Sequence, residues 1–181
     1  MADQQEVRLC GFGGQGIILA GYIIGQAVTV YQGVNAVLTQ DYGPEARGGA
    51  CRADVIISDH PVNYPYVQCP SVLVALSQAG YDKYYRDAVP DTLVIVDEDL
   101  VAPDRTVSTR LLVVPAWRTA EELGRVAVAN VVMLGFFAGA TRLVSPEAMR
   151  KSILASVPKG TEELNTNAFE RGLACAQEVG G

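Results

Sequence analysis

Cys10-Gly11-Phe12-Gly13-Gly14-Gln15-Gly16 lies between a short apolar run, residues 7–10, and a long one, residues 17–30. That order reads as a strand over residues 6–10, a tight glycine turn, and a helix from about residue 14 to 30. Glycine in such a turn lets the backbone take positive φ and lets a ligand approach closely. A turn that opens a helix also leaves several backbone N–H groups unpaired. Those groups and the helix dipole favour an anion, most often a phosphate.

Outward from the turn, residues 34–40 form an apolar, β-branched run that predicts a second strand. Asp41-Tyr42-Gly43-Pro44-Glu45-Ala46-Arg47-Gly48-Gly49 follows, and its proline and glycines predict a shaped loop. Residues 51–58 alternate, so Cys51, Ala53, Val55 and Ile57 are expected on one face of a third strand. Asp59 to Val62 predicts a turn and residues 62–65 a short extended piece. The continuous apolar runs at residues 72–76 and 93–96 predict strands covered on both faces. Between them, residues 78–88 predict a helix packed through Tyr81, Tyr84 and Tyr85. Residues 107–115 give one more strand, and the rest is helical.

Thr119 is the expected N-cap of the next helix, which continues or restarts through the apolar stretch to Ala140. Ser145-Pro146-Glu147 is a strong helix start that should end before Pro158. Thr161 opens the last helix, to about Gln177. Within the first helix, Gly21 and Gly25 lie one turn apart and predict a bare face for close packing. The sum is an α/β fold: a three-layer α/β/α sandwich with a mixed, mostly parallel sheet and a Rossmann-like first strand–helix unit. Residues 1–181 are expected to form a single domain.

Of the 181 residues, 49% are hydrophobic and 19% charged, with a formal net charge of −6. That balance lacks the basic face of a nucleic-acid binder. The polar start, residues 1–6, carries no secretory signal, and a cytoplasmic location with free thiols is expected. Residues 9–40 and 126–141 contain no charge. Glycines and glutamine break the first and Asn130 interrupts the shorter second. A span needs roughly 20 continuous apolar residues, so both read as buried helices, with no membrane span. Asn130, if buried, needs hydrogen-bond partners.

Gly11, Gly13 and Gly16 satisfy G-x-G-x-x-G after a strand and before a helix, which suggests a dinucleotide dehydrogenase. Two features oppose it. The ribose-binding acid should follow at roughly 20 residues, whereas Asp41 comes late, inside the Gly/Pro loop. The chain's single histidine, His60, sits on a predicted surface turn. The four cysteines, Cys10, Cys51, Cys69 and Cys175, include no C-x-x-C pair and no cluster-binding run. Neither a catalytic residue nor a metal site is expected in this chain. If the first two strands run side by side, the turn and the Tyr42–Gly49 loop form two walls of one crevice. Arg47 could then reach an anionic ligand, with Gly48 and Gly49 allowing close approach and Glu45 fixing Arg47 or a ligand hydroxyl.

Gly11-Phe12-Gly13-Gly14-Gln15-Gly16 resembles the opening motif of the gamma subunit of 2-oxoacid:ferredoxin oxidoreductases. Tyr42-Gly43-Pro44-Glu45-Ala46-Arg47-Gly48-Gly49 resembles the family's second signature, often written with Ser where Ala46 stands. Asn130 to Gly135, and Asn167-Ala168-Phe169-Glu170-Arg171-Gly172, sit in matching order, so the resemblance spans nearly the whole chain. Ser71 departs from it, where the family often has Asp. The resemblance implies oxidative decarboxylation of a 2-oxoacid to an acyl-CoA, with electrons passed to ferredoxin. It implies that thiamine diphosphate and iron–sulfur clusters reside in partner alpha and beta subunits, with a ferredoxin-like delta subunit in some complexes. It associates the gamma domain with coenzyme A. The candidate contacts are Gly11, Phe12, Gly13, Gly14, Gln15, Gly16, Tyr42, Glu45, Arg47, Gly48 and Gly49. The alternative is a stand-alone protein binding NAD(P) or FAD.

Overall fold

Val7, Leu9 and the residues between them are fully buried, because the strand that carries them lies near the middle of a sheet covered on both sides. The computed structural model describes residues 4–42, 49–104 and 110–180. Six strands form one sheet: β1 (Gln4–Phe12), β2 (Asn35–Asp41), β3 (Ala50–Ser58), β4 (Val72–Ala75), β5 (Leu93–Asp97) and β6 (Arg110–Val114). Their spatial order is β2-β3-β1-β4-β5-β6. The β1–β4, β4–β5 and β5–β6 pairs are parallel, and β3 is antiparallel to both β1 and β2. The expected mixed, mostly parallel sheet is present. The first two strands are not neighbours, however, since β3 lies between them. A long antiparallel register, Gln4 on Ser58 through Phe12 on Ala50, fixes that insertion.

Helices cover the two faces unequally. On one face lie α1 (Ile17–Gln26), α3 (Ala116–Glu122), α4 (Ala129–Thr141), α5 (Pro146–Ser156) and α6 (Glu162–Gly180). Cys51, Ala53, Val55 and Ile57 point to this face together, as their alternation predicts, beside Val72, Val74 and Ile95. The opposite face packs Cys10, Leu73, Ala75, Val94 and Val96 against Tyr81 and Tyr84 of α2 (Gln78–Tyr84). Tyr85 stacks on Tyr81 with ring centroids 4.6 Å apart. Arg8 is buried on this side. Its guanidinium pairs with both Asp54 carboxylate oxygens at 2.8 Å and with Asp87, and donates to the Val67 carbonyl. It thereby ties the segment before β4 and the end of α2 to the sheet.

Several boundaries differ from expectation for local reasons. The first helix begins at Ile17, because Gly14 (φ 105°) and Gly16 (φ 74°) are in left-handed backbone that no α-helix can use. Past Gln26 it loosens into a π-turn, Ala27–Tyr31. Gly21 does pack closely, with Ala53 of β3 where a Cβ would stand, but Gly25 faces open space. Residues 62–65 form no strand. Thr119 is not an N-cap: α3 starts right after Pro115, and Thr119 is buried inside it. The chain restarts at α4 because Gly124 (φ 83°) turns it. Ser145 caps α5 as expected, its hydroxyl accepting from Ala148 N–H, with Pro146 in the first turn. The predicted strand over residues 107–115 is seen from Arg110; residues 105–109 lie outside the described residues.

Ala129 to Ala138 of α4 are all buried, which explains the charge-free run. Its main partner is α6. A Cβ on Gly135 would stand 2.1 Å from the Phe169 carbonyl oxygen, and one on Gly172 would stand 1.9 Å from that of Val132. The two helices interlock through glycines, so their backbones touch. Among the described residues, no helix is long and apolar enough to cross a membrane.

Candidate functional site

The glycine turn leaves the carboxyl end of β1 and is braced by two side chains, those of Gln15 and Asn130. Gln15 is its internal brace: its amide oxygen accepts from Phe12 N–H at 2.7 Å, and its amide nitrogen donates to the Leu76 carbonyl at 2.7 Å. The first bond closes the turn, and the second pins it to the end of neighbouring β4. Gln15 N–H donates to the Phe12 carbonyl at 3.1 Å. Gly16 is the N-cap of α1, with no side-chain cap and no acid in the first turn. From α4, the buried Asn130 donates its amide to the Gly16 carbonyl at 3.3 Å. A Cβ on Gly16 would stand 2.2 Å from that amide nitrogen. Glycine is therefore required twice there, for φ and for the closeness of Asn130.

The other glycines divide by role. Gly11 is buried inside β1, where Gln15, Ile17 and the nearby Gly80 take up the space around it. Gly13 and Gly14 are exposed, and among the described residues no atom lies near the place of a Gly14 Cβ. The N–H of Gly14 has no partner among the described residues, and the first-turn amides of α1 have no carbonyl one turn back. The exposed lip of the turn therefore presents the Gly14 N–H and the positive end of α1, a physical fit for an anion.

The Gly13 N–H donates to the Gly49 carbonyl at 3.3 Å, which joins the turn to the end of the second candidate loop. Gly49, the described end of that loop, thus lies beside the turn, though β2 and β1 are not neighbours. The loop leaves β2, two strands away, and returns through β3, whose first residue Ala50 pairs with Phe12. Tyr42 follows β2 and is exposed. Glu45, Arg47 and Gly48, with Gly43, Pro44 and Ala46, lie outside the described residues. Asp41 ends the edge strand, and Arg52 Nε is 3.9 Å from its carboxylate. A dinucleotide fold needs that acid at the end of a strand beside β1. Here β3 occupies the place, and the nicotinamide or flavin alternative loses its ribose contact.

Other chemistry-bearing groups near this edge are structural. Asp97, buried at the end of β5, accepts from the N–H groups of Asp99, Leu100 and Trp117 at 2.7–3.0 Å. Burial raises its carboxyl above the usual range, against the pull of those three donors. Burial likewise pushes the Cys10 thiol up despite nearby Arg8, so it is no nucleophile. His60 is exposed on its turn. Ser71 exchanges hydrogen bonds with both backbone groups of Glu6, a structural duty for the position that departs from the family pattern. Among the described residues, no group of three His, Cys, Asp or Glu is placed to share a metal ion. Sequence reasoning flagged Asn130 as needing partners but missed that Gly16 is one.

The sequence matches the pyruvate ferredoxin/flavodoxin oxidoreductase family over residues 6–175. It is 51% identical over 179 residues to the 2-oxoglutarate synthase subunit KorC of Methanocaldococcus jannaschii, covering 97% of this chain and 96% of that protein. Among solved structures, it resembles the gamma subunit of a keto/oxoacid ferredoxin oxidoreductase from Geobacter sulfurreducens. The TM-score there is 0.89 at 40% identity, covering 98% of both chains. The fold also recurs, at TM-score 0.89 and 21% identity, across 98% of this chain and 32% of a chain of the Magnetococcus marinus 2-oxoglutarate:ferredoxin oxidoreductase. That enzyme was solved with 2-oxoglutarate, coenzyme A and succinyl-CoA bound.

Proposed function

The chain belongs to the pyruvate ferredoxin/flavodoxin oxidoreductase family, as a gamma subunit of a 2-oxoacid:ferredoxin oxidoreductase, and from that premise we propose that it supplies the coenzyme A wall of the complex's active site. The observation that carries this is the braced glycine turn. Its exposed Gly13 and Gly14 and the open start of α1 suit a pyrophosphate, and coenzyme A carries one. In this reading Gly11, Gln15 and Gly16 shape the turn, while Phe12, Gly13 and Gly14 meet the ligand. Tyr42, Glu45, Arg47, Gly48 and Gly49 form the second wall, with Arg47 as the phosphate-pairing cation.

The chain works as a single cytoplasmic domain with alpha and beta subunits, and in some complexes a ferredoxin-like delta subunit. Those partners hold thiamine diphosphate and the iron–sulfur clusters and pass electrons to ferredoxin. The oxoacid is 2-oxoglutarate, a choice supported by the 51% identity to a 2-oxoglutarate synthase subunit. By itself the chain is inactive. The test is reconstitution with its partner subunits, assaying 2-oxoglutarate-dependent reduction of ferredoxin. Arg47→Ala should raise KM for coenzyme A roughly tenfold, the cost of losing a charged hydrogen bond. An unchanged KM, or equal turnover without the chain, refutes the reading.

A further inference from the structure

At the far end of α4 from the glycine turn lies a cavity of about 420 Å³, walled by the start of β6 and the ends of α4 and α6. Arg142, which closes α4, lies about 18 Å along the helix from Asn130 at the usual rise per residue. Much of the lining is apolar, from Leu112, Ala140 and Ala176. A Cβ on Gly139 would stand 2.6 Å from that of Ala176, so the two helices touch there and close the floor.

Three polar side chains share this cavity: Arg110, Arg142 and Gln177. Among the described residues neither guanidinium has a carboxylate partner, whereas Arg8, Arg52, Arg118, Arg150 and Arg171 all do. Two cations left in one cavity without an acid repel each other until an anion joins them. The chain has a net charge of −6, so a lack of acids elsewhere is not the reason. Arg142 also holds a strained backbone. Its φ of 57° makes it the one non-glycine residue in left-handed backbone among the described residues. Glycine or asparagine commonly takes that place at a helix end. The negative end of α4 favours a cation there, but it does not account for Arg110, which starts a strand.

The two guanidiniums come from separate elements, and most of what else lines the cavity is apolar. That combination suits two acid groups on a short apolar chain, each carboxylate paired bidentately by one arginine. A cavity above about 300 Å³ holds a whole small ligand, and a lone phosphate would leave most of it empty.

We propose that this cavity is a binding site for a small dicarboxylate, with Arg110 on one carboxylate, Arg142 on the other and the Gln177 amide as a further donor. The site does not depend on what the glycine turn binds.

The test titrates the full chain with glutarate at fixed ionic strength, by calorimetry and by melting midpoint. Butyrate and inorganic phosphate are the controls. Glutarate should bind at one saturable site with a dissociation constant of about 1 mM or below. Arg110→Gln and Arg142→Gln should each weaken it roughly tenfold, the loss of one charged hydrogen-bonding partner. Arg142→Gly should abolish binding too, while raising the melting midpoint of the ligand-free chain by about 2–4 °C through relief of the backbone. No saturable binding up to about 10 mM overturns the site. So does binding that survives both glutamine variants, or butyrate or phosphate binding as tightly as glutarate. If glutarate does not bind and Arg110→Glu with Arg142→Glu blocks assembly of the complex, the arginines meet a partner's acids and the dicarboxylate site falls.

Discussion

Two glycine-rich regions use the same residue for opposite ends. At the α4–α6 crossing, Gly135 and Gly172 are there to be absent: each leaves room for a carbonyl of the facing helix. At the turn after β1, Gly14 and Gly16 serve their backbone angles, and no atom of the described residues would meet a Gly14 side chain. Both regions belong to motifs that resemble the family. One set of glycines makes the scaffold, and the other leaves backbone N–H groups bare. A motif glycine therefore says little about function until it is known what its missing side chain would meet.

Substitutions at these glycines can break that distinction. The largest effect is expected for Gly172→Ala, whose methyl would enter the Val132 carbonyl and force the helices apart. A loss of about 3 kcal/mol or more in urea unfolding follows from overpacking a rigid contact. A loss under about 1 kcal/mol would mean the crossing is softer than it looks. Gly16→Ala comes next: left-handed backbone costs about 1–2 kcal/mol, and displacing the Asn130 bond adds about 1 kcal/mol. It should also raise KM for coenzyme A, because the start of α1 moves. Gly14→Ala should cost about 1–2 kcal/mol through backbone strain alone. Its KM for coenzyme A should nevertheless rise several-fold, since the methyl stands on the proposed ligand side. A stability loss without a KM change would place Gly14 with the scaffold glycines. The smallest effect, and of opposite sign, is expected at Gly25, a helical glycine facing open space. Gly25→Ala should stabilise by about 0.5–1 kcal/mol in the isolated chain. If it also blocks assembly, a partner covers that face.

Much of the fold was legible along the chain because its signals are local. Burial on both faces wrote the apolar runs at residues 72–76 and 93–96, and half-exposure wrote the alternation of β3. Ser145 and Pro146 marked a helix start through one side-chain bond and one fixed angle. Thr119 misled because a threonine before acidic residues looks like a cap; Pro115, four residues earlier, had already turned the chain. The site was half legible. Its glycines were visible, but the bracing bonds of Gln15, to Phe12 of β1 and to Leu76 just past β4, were not.

By itself the sequence determined a strand, a glycine turn and a helix, and the anion preference that follows from unpaired amides at a helix start. It also determined which runs are buried, since apolar periodicity is a local record of exposure. Tertiary structure decided the rest. It placed β3 between β1 and β2, which removed the ribose acid and yet set Gly49, at the end of the second loop, beside the turn. It carried Asn130 across 114 positions to hold Gly16. Strand order and helix crossings are set by packing between distant segments, and no window of sequence contains both partners of such a contact.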